Sequence, residues 1–355
     1  MTYQPHYHFV AFLVSAVVVL ICTPLIREVG IRSGYVDQPG ERKVHQRPMV
    51  RLGGVGIFLG TTLALLTVWG SGGFGTLPPE QSDEVWGVTI GGLACFVIGL
   101  TDDLFNISPF TRLVMQSIVS IGAWQMGVQI KVLSIPLVGI FPLPMWISLP
   151  LTMLWLIGMI NAINWIDGLD GLAAGVSGIA AVIMLMVCLF VNQPAAGLIV
   201  AALAGGALGF LRYNFNPAQI FMGDGGAYFI GFILAGAGVI GLVKGVTTVA
   251  VVLPYLILAV PLLDMSAVII DRLRRGKSPF NADKRHLHHR LLRAGLSHRL
   301  TVIVIYGLTL WVGTIALALS GMPDGIGYAI SATVLLVVIV WRAVKQIQKQ
   351  HNDSA

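Results

Sequence analysis

The chain has 355 residues, 56% of them hydrophobic and only 11% charged, with a mean hydropathy of +0.83. Soluble domains carry about 25% charged residues, so a water-soluble globular protein is excluded and the bilayer is the expected solvent. The net charge of +6 reads as orientation bias in a membrane, with attraction to anionic lipids second, and not as nucleic-acid binding.

Within lipid every backbone polar group must be satisfied internally, so long apolar runs mean helices. Eleven stretches are long enough to cross about 30 Å of hydrocarbon: 7–26, 52–70, 85–101, 111–129, 146–163, 172–191, 195–211, 226–243, 247–270, 301–320 and 325–342. The expected fold is all-α and polytopic, with about eleven transmembrane helices in a single domain over 1–345 and a frayed tail over 346–355. Two divisions are weakly marked, at Asn192-Gln193-Pro194 and near Lys244-Gly245.

Cations set the orientation. Loop 27–51 carries Arg27, Arg32, Arg42, Lys43, Arg47 and Arg51, and loop 271–300 carries nine more. Arg112, Arg212, Arg342, Lys345 and Lys349 fall on the same side, leaving only Lys131 and Lys244 of the 22 cationic residues opposite. The N-terminus is therefore expected outside and the C-terminus in the cytoplasm. The cations follow the first span, which is unlike a cleaved signal peptide. Cys22, Cys95 and Cys188 all lie inside spans, which supports neither a disulfide framework nor a metal knuckle.

No soluble domain and no internal repeat is visible. Gly236-Ala-Gly238-Val-Ile-Gly241 matches a dinucleotide fingerprint but sits in a span without a preceding strand. Asn106-Ile-Ser108 is a sequon on the cytoplasmic side, so it is expected to be inert.

The remaining polar motifs all fall on that one side, although Lys and Arg alone fixed the topology. The third span ends in Asp102-Asp103, which could cap a helix, hold a divalent cation or take a proton. The fifth ends in Asn161-Ala-Ile-Asn164-Trp-Ile-Asp167-Gly-Leu-Asp170-Gly171. Its three-residue spacing puts the polar groups on one helical face, for interhelical hydrogen bonds or for a ligand. Arg212-Tyr-Asn214-Phe-Asn216-Pro217 precedes Phe221-Met-Gly-Asp224-Gly-Gly226 at the start of a span. Asp224 there reads either as a plain N-cap or as a metal ligand bridging to phosphate. The last loop carries Asp283-Lys284-Arg285-His286-Leu-His288-His289-Arg290, better suited to donating to phosphate oxygens than to holding zinc.

Together with Lys43-Val-His45 and Arg51-Leu-Gly53-Gly54, these motifs make the sequence resemble the polyprenyl-phosphate N-acetylhexosamine-1-phosphate transferases, over most of the chain. Within that family it is similar to the undecaprenyl-phosphate GlcNAc-1-phosphate transferases. Arg290 after His289, and Asn106 after the paired Asp, depart from the pattern of the MurNAc-pentapeptide enzyme. Val50 stands where the preferred branch has Pro.

The resemblance implies a magnesium-dependent sugar-1-phosphate transferase of the bacterial cytoplasmic membrane, with Mn²⁺ as an alternative metal. Its substrates would be a UDP-sugar and undecaprenyl phosphate, and the step would initiate a cell-envelope polysaccharide such as lipopolysaccharide or teichoic acid. By residue, it implies Mg²⁺ on Asp224 and Asn164, and Phe221 stacked on uracil with Asn214 and Asp170 bonding it. Asp102 and Asp103 would act at the acceptor phosphate. Arg285, His286, His288 and His289 would hold the donor, with Asp167, Lys43 and His45 contributing. A transporter of an anionic or lipid-linked substrate is the competing reading, for which Asp264 is the sole ionisable residue deep in a span. The sugar, the pathway, direct against covalent chemistry, and monomer against homodimer stay open.

Overall fold

A computed structural model describes residues 5–37, 48–135, 139–242, 248–277 and 285–354. In chain order the helices are α1 (His6–Arg32), α2 (Gly53–Gly70), α3 (Pro79–Phe105), α4 (Pro109–Gln125) and α5 (Met145–Ile166). They continue with α6 (Leu172–Phe190), α7 (Pro194–Asn214), α8 (Gly223–Ala237), α9 (Thr248–Ile257) and α10 (Ala259–Arg274). A short α11 (Leu287–Arg293) precedes α12 (His298–Leu319) and α13 (Gly325–Ser354). A 3-10 turn (Gly73–Thr76) and two small antiparallel strand pairs are also present: β1 (Val36–Asp37) with β2 (Met49–Val50), and β3 (Val132–Ile135) with β4 (Gly139–Pro142).

The chain is an all-α polytopic membrane protein. Among the described residues nine helices are long and apolar enough to cross a bilayer: α1, α2, α3, α5, α6, α7, α8 with its π-helical extension to Leu242, α12 and α13. The other two apolar stretches correspond to the 17-residue α4 and to the α9–α10 pair. The stretch expected as one span over 247–270 breaks at Leu258, because Pro254 and Pro261 remove amide donors on either side. The expected frayed tail is instead helical through Ser354. Ala343 and Ile347 pack on Leu296 and Val304, and Ser297 bonds Gln346, which holds the start of this continuation.

The middle of the molecule is α8, whose spanning residues are wholly buried. It packs against α2, α3, α5 and α7. Buried this way, a helix must be apolar all round, and Tyr228, Phe229, Phe232 and Ile233 supply the bulk. Glycines let the neighbours reach its backbone at the entry turn. A Cβ on Gly54 of α2 would lie 2.3 Å from the Gly226 nitrogen, and one on Gly99 of α3 2.4 Å from the Asp224 carbonyl oxygen. Lower down, a Cβ on Gly231 would meet the Ile160 Cα at 2.7 Å. The start of α8 is thus gripped from both sides with no side chain between backbones.

Overpacking such contacts costs about 1–3 kcal/mol. Gly54→Val and Gly99→Val should therefore lower the melting temperature in detergent. Gly122→Ala should hold or raise it, since that Cβ would enter open space on α4 and a helical Gly costs about 0.5–1 kcal/mol relative to Ala. Equal melting temperatures for all three would contradict the grip on α8.

Candidate active site

The run Asn161–Gly171 leaves α5 and touches three polar groups of side chains. Its expected single polar face divides in the structure. Asn161 turns to α4, donating to Gln116 Oε1 at 2.9 Å, so for this residue interhelical bonding is the observed role. Asn164 turns the other way and donates to Asp224 Oδ1 at 2.9 Å. Helix α5 ends at Ile166, and Gly171 takes a left-handed φ of +79°, so Asp167 and Asp170 lie in a turn and do not share a helical face.

The first group surrounds the start of α8. Asp224 occupies its first turn, not the N-cap, which is Met222, and the helix dipole there favours a carboxylate. Asp103 Oδ2 accepts the Gly225 N–H at 3.0 Å, reaching across from α3. Arg51 Nη2 lies 3.7 Å from both Asp103 Oδ1 and Asp224 Oδ1. Arg112 of α4 pairs with buried Asp102 and stands 3.9 Å from Asp224 Oδ2. Arg51 is held there by backbone pairing: Phe221 N–H donates to Val50 O, while Gly53 and Gly54 N–H donate to Phe221 O and Met222 O. Gly223 makes the tight turn that follows, with φ +77°, and a Cβ on it would lie 2.2 Å from the Arg51 carbonyl oxygen.

Burial first, then the negative charge of Asp224, push the half-buried Asp167 carboxyl up to about 7. Four carboxylates (Asp102, Asp103, Asp167, Asp224) face only two guanidiniums, so when fully ionised the group lacks positive charge. Among the described residues no three His, Cys, Asp or Glu side chains form a ready-made metal cage. Mg²⁺ does not require one: it binds through one or two carboxylates, keeps waters and takes substrate phosphates. The donor set fits such an ion, with Asp224 and the Asn164 amide at its centre.

The second group fixes the loop after α7. Asp170 Oδ2 accepts from Asn216 Nδ2 at 2.9 Å and from the Ala218 N–H at 3.1 Å, and the Asp170 N–H donates to His298 Nε2 at 3.0 Å. Buried Asn214 accepts the Gly171 N–H and donates to Ile220 O, both at 3.0 Å. Their side-chain bonds hold the segment that presents half-buried Phe221.

The third group is the histidine segment. Asp264 of α10 accepts from His286 Nδ1 at 2.8 Å and from the Leu287 N–H at 2.6 Å, which settles its place as the anchor of this segment. His286 and His288 stack nearly parallel with centroids 5.7 Å apart, and Trp165 meets His286 edge-on at 5.8 Å. His288 is 2% exposed; its Nε2 has no hydrogen-bond partner among the described residues and lies 2.5 Å from where a Cβ on Gly168 would be. Burial, then neighbouring His289 and His286, push its pKa down to about 3, so the ring stays neutral. His289 tilts against His288 at 4.3 Å, and Arg285 pairs with Asp271 at 2.7 Å.

Three sets of the expected residues therefore connect to one run, the acids through Asn164, the loop through Asp170 and Gly171, and the histidines through Trp165 and Gly168, while Arg285 is turned to Asp271. Lys43 and His45 lie outside the described residues. Reading the sequence missed the parts of Arg51, Arg112, Trp165, Asn216 and His298. Arg112 carried a usable signal as a lone cation one short loop after the paired Asp; His298 carried none.

The glycosyl transferase family 4 profile matches residues 85–242, which hold the paired Asp, the Asn161–Gly171 run and Asp224. Among curated proteins, a probable undecaprenyl-phosphate N-acetylglucosaminyl 1-phosphate transferase of Bacillus subtilis is 38% identical over 94% of this chain and 86% of its own length. A decaprenyl-phosphate N-acetylglucosaminephosphotransferase of Mycolicibacterium smegmatis is 35% identical over 86% of this chain and 79% of its own. An undecaprenyl-phosphate alpha-N-acetylglucosaminyl 1-phosphate transferase of Pasteurella multocida is 33% identical over 83% and 81%. With relatives this similar along nearly the whole chain, the protein belongs to glycosyl transferase family 4.

Proposed function

We propose that the chain transfers N-acetylglucosamine 1-phosphate from a UDP-sugar to undecaprenyl phosphate, releasing UMP, at the cytoplasmic face of a bacterial inner membrane. The observation that carries this reading is the meeting of Asp103, Asn164, Asp224, Arg51 and Arg112 at the entry turn of α8. The names of the relatives supply the substrate class. The reading takes α4 and the α9–α10 pair as spans beside the nine, giving eleven with the N-terminus outside. It gives the transporter alternative no support, since the deep Asp264 is committed to His286.

The acceptor phosphate oxygen attacks the sugar-linked phosphorus of the nucleotide, and the bond to the UMP oxygen breaks. One diphosphate bond replaces another, so the reaction is readily reversible. Both reactants are anions, and their approach demands positive charge. Arg51 and Arg112, already poised between Asp102, Asp103 and Asp224, supply part of it. When bound, Mg²⁺ held by Asp224 and Asn164 would neutralise and align the diphosphate. Asp102 and Asp103 set the two arginines and face the acceptor phosphate, keeping it ionised. Phe221 stacks on the base, on a loop that Asp170 and Asn214 hold rigid. Arg285 and His286, His288 and His289 take the donor phosphates and sugar, with His288 Nε2 a buried polar atom that has no hydrogen-bond partner among the described residues.

Asp224→Asn keeps the shape and the Asn164 contact but loses the charge. Release of UMP should fall by about 10²–10³-fold, with the melting temperature within a few degrees of wild type. A variant that retains most of its turnover at ordinary Mg²⁺ would remove Asp224 from the site.

Asp167 provides a pH test. In the folded chain it holds its proton to about pH 7, whereas the ordinary value is 3.8. The unfolded state loses that proton first, so this group erodes stability as pH rises from about 4 to 7. Asp167→Asn should therefore raise the melting temperature at pH 8, match wild type near pH 4, and lower turnover. Parallel pH dependences for the two proteins would contradict this account of Asp167.

A further inference from the structure

The loop between α7 and α8, which presents Phe221, is held from several sides. Asp170 takes Asn216 Nδ2 and the Ala218 N–H, and Asn214 donates to Ile220 O. Arg27 of α1 donates through Nε to Gln219 O at 3.0 Å, and the Phe221 N–H reaches Val50 O of β2. A further hold comes from the first turn of α12, where Arg299 Nε donates to Asn216 O at 3.1 Å.

The residue before Arg299 reaches the other side of the same platform. His298 Nε2 accepts the Asp170 N–H at 3.0 Å. A ring therefore closes: His298 holds Asp170, Asp170 holds Asn216, Asn216 is held by Arg299, and Arg299 follows His298 in the chain. The amides of Asp170 and Gly171 are both taken by side chains of distant segments, His298 and Asn214. About two turns along α12, Tyr306 donates to Gly171 O, so the helix grips an amide and a carbonyl of adjacent residues.

Starting α12 does not require His298. Ser297 already caps the helix, its Oγ accepting the Leu300 N–H at 3.4 Å. The His298 ring instead meets a residue 128 positions away in the chain. The acceptor end of the site is built apart from this turn: Asp102, Asp103, Arg51 and Arg112 bond among themselves and to α8, while α12 packs on α6, α9, α10, α11 and α13.

We infer that His298 and Arg299 are positioning residues for the nucleotide base. His298 holds the turn that carries Asp170, Arg299 holds the loop that carries Phe221, and together they fix the two sides of the base platform relative to each other. The inference rests on the transferase reading for the nucleotide and adds two residues of α12 to the machinery that binds it. The base lies away from the reacting phosphorus and is held alike in the ground and transition states. Loosening its platform therefore weakens donor binding and spares turnover.

The test uses the full chain in detergent with Mg²⁺. It reads UMP binding by calorimetry, the KM for UDP-N-acetylglucosamine and for undecaprenyl phosphate, kcat and melting temperature. His298→Phe keeps a ring and removes the acceptor. It should weaken UMP binding and raise the KM for the UDP-sugar alike, by about five-fold, the scale of one hydrogen bond. Its kcat and its KM for undecaprenyl phosphate should stay at the wild-type values. His298→Gln, which restores an acceptor at similar reach, should recover most of the loss. Arg299→Leu removes an exposed donor and should raise the KM for the UDP-sugar about two-fold; it keeps the proposal testable if His298→Phe fails to fold. Wild-type UMP affinity in both His298→Phe and Arg299→Leu would overturn the proposal, as would equal losses in the Phe and Gln variants. A matching rise in both KM values would also overturn it, since the variants would then have loosened the whole fold, and so would a fall in kcat at unchanged KM. A wild-type chain that binds no uridine nucleotide would overturn the transferase reading itself, and this inference with it.

Discussion

The contact on which the rest of the molecule depends is the bare backbone crossing at the entry turn of α8. Gly54 from one side and Gly99 from the other come so close to Gly226 and Asp224 that neither position has room for a Cβ. This fixes where the helix begins, and therefore where its dipole and the Asp224 carboxylate point. Asp103, one turn beyond Gly99, then meets the Gly225 N–H, and Arg51, three residues before Gly54, meets both acids. Packing of apolar helices and placement of charge are here the same structural fact. Closely approached helices with small residues are what lipid solvent favours, because no hydrophobic force draws apolar helices together within it.

The second organising element is the turn after α5. Asn164 and Trp165 leave the last turn of α5 toward different partners, and the turn that follows presents Gly168 to the histidine segment and Asp170 to the loop after α7. Ending α5 at Ile166 and using the positive φ of Gly171 spreads the side chains in different directions. Gly168 has a further part: any side chain there would collide with His288. The glycines in this run therefore serve the fit between distant segments as much as the local turn.

Much of this was legible in the sequence, for physical reasons that differ by element. The spans could be read because hydrocarbon thickness and internal hydrogen bonding leave few alternatives, and each helix that passes as a span covers one of the apolar runs, with α1 and α13 extending six residues or more beyond theirs. The break at Leu258 was readable in principle from Pro254 and Pro261 but was masked by unbroken apolarity. The helical continuation of α13 was missed because charge suggested solvent, whereas Ala343 and Ile347 pack on the α11–α12 corner. Within the site, residue types and spacing pointed to the acids, amides and histidines. Which of them pair could not be read, because Asp264 with His286, Arg112 with Asp102 and Asp170 with Asn216 are matches across separate segments. Spacing within a segment says nothing about its partner in another.

The account rests on the acid-and-arginine cluster at α8 being the seat of a magnesium diphosphate. A structure of the full chain with UDP-N-acetylglucosamine and Mg²⁺ tests that most directly. The account predicts metal density on Asp224, the diphosphate between that metal and the His286–His289 segment, and the uracil against Phe221. Nucleotide bound elsewhere, with Asp224 still paired only to Asn164 and the two arginines, would contradict it.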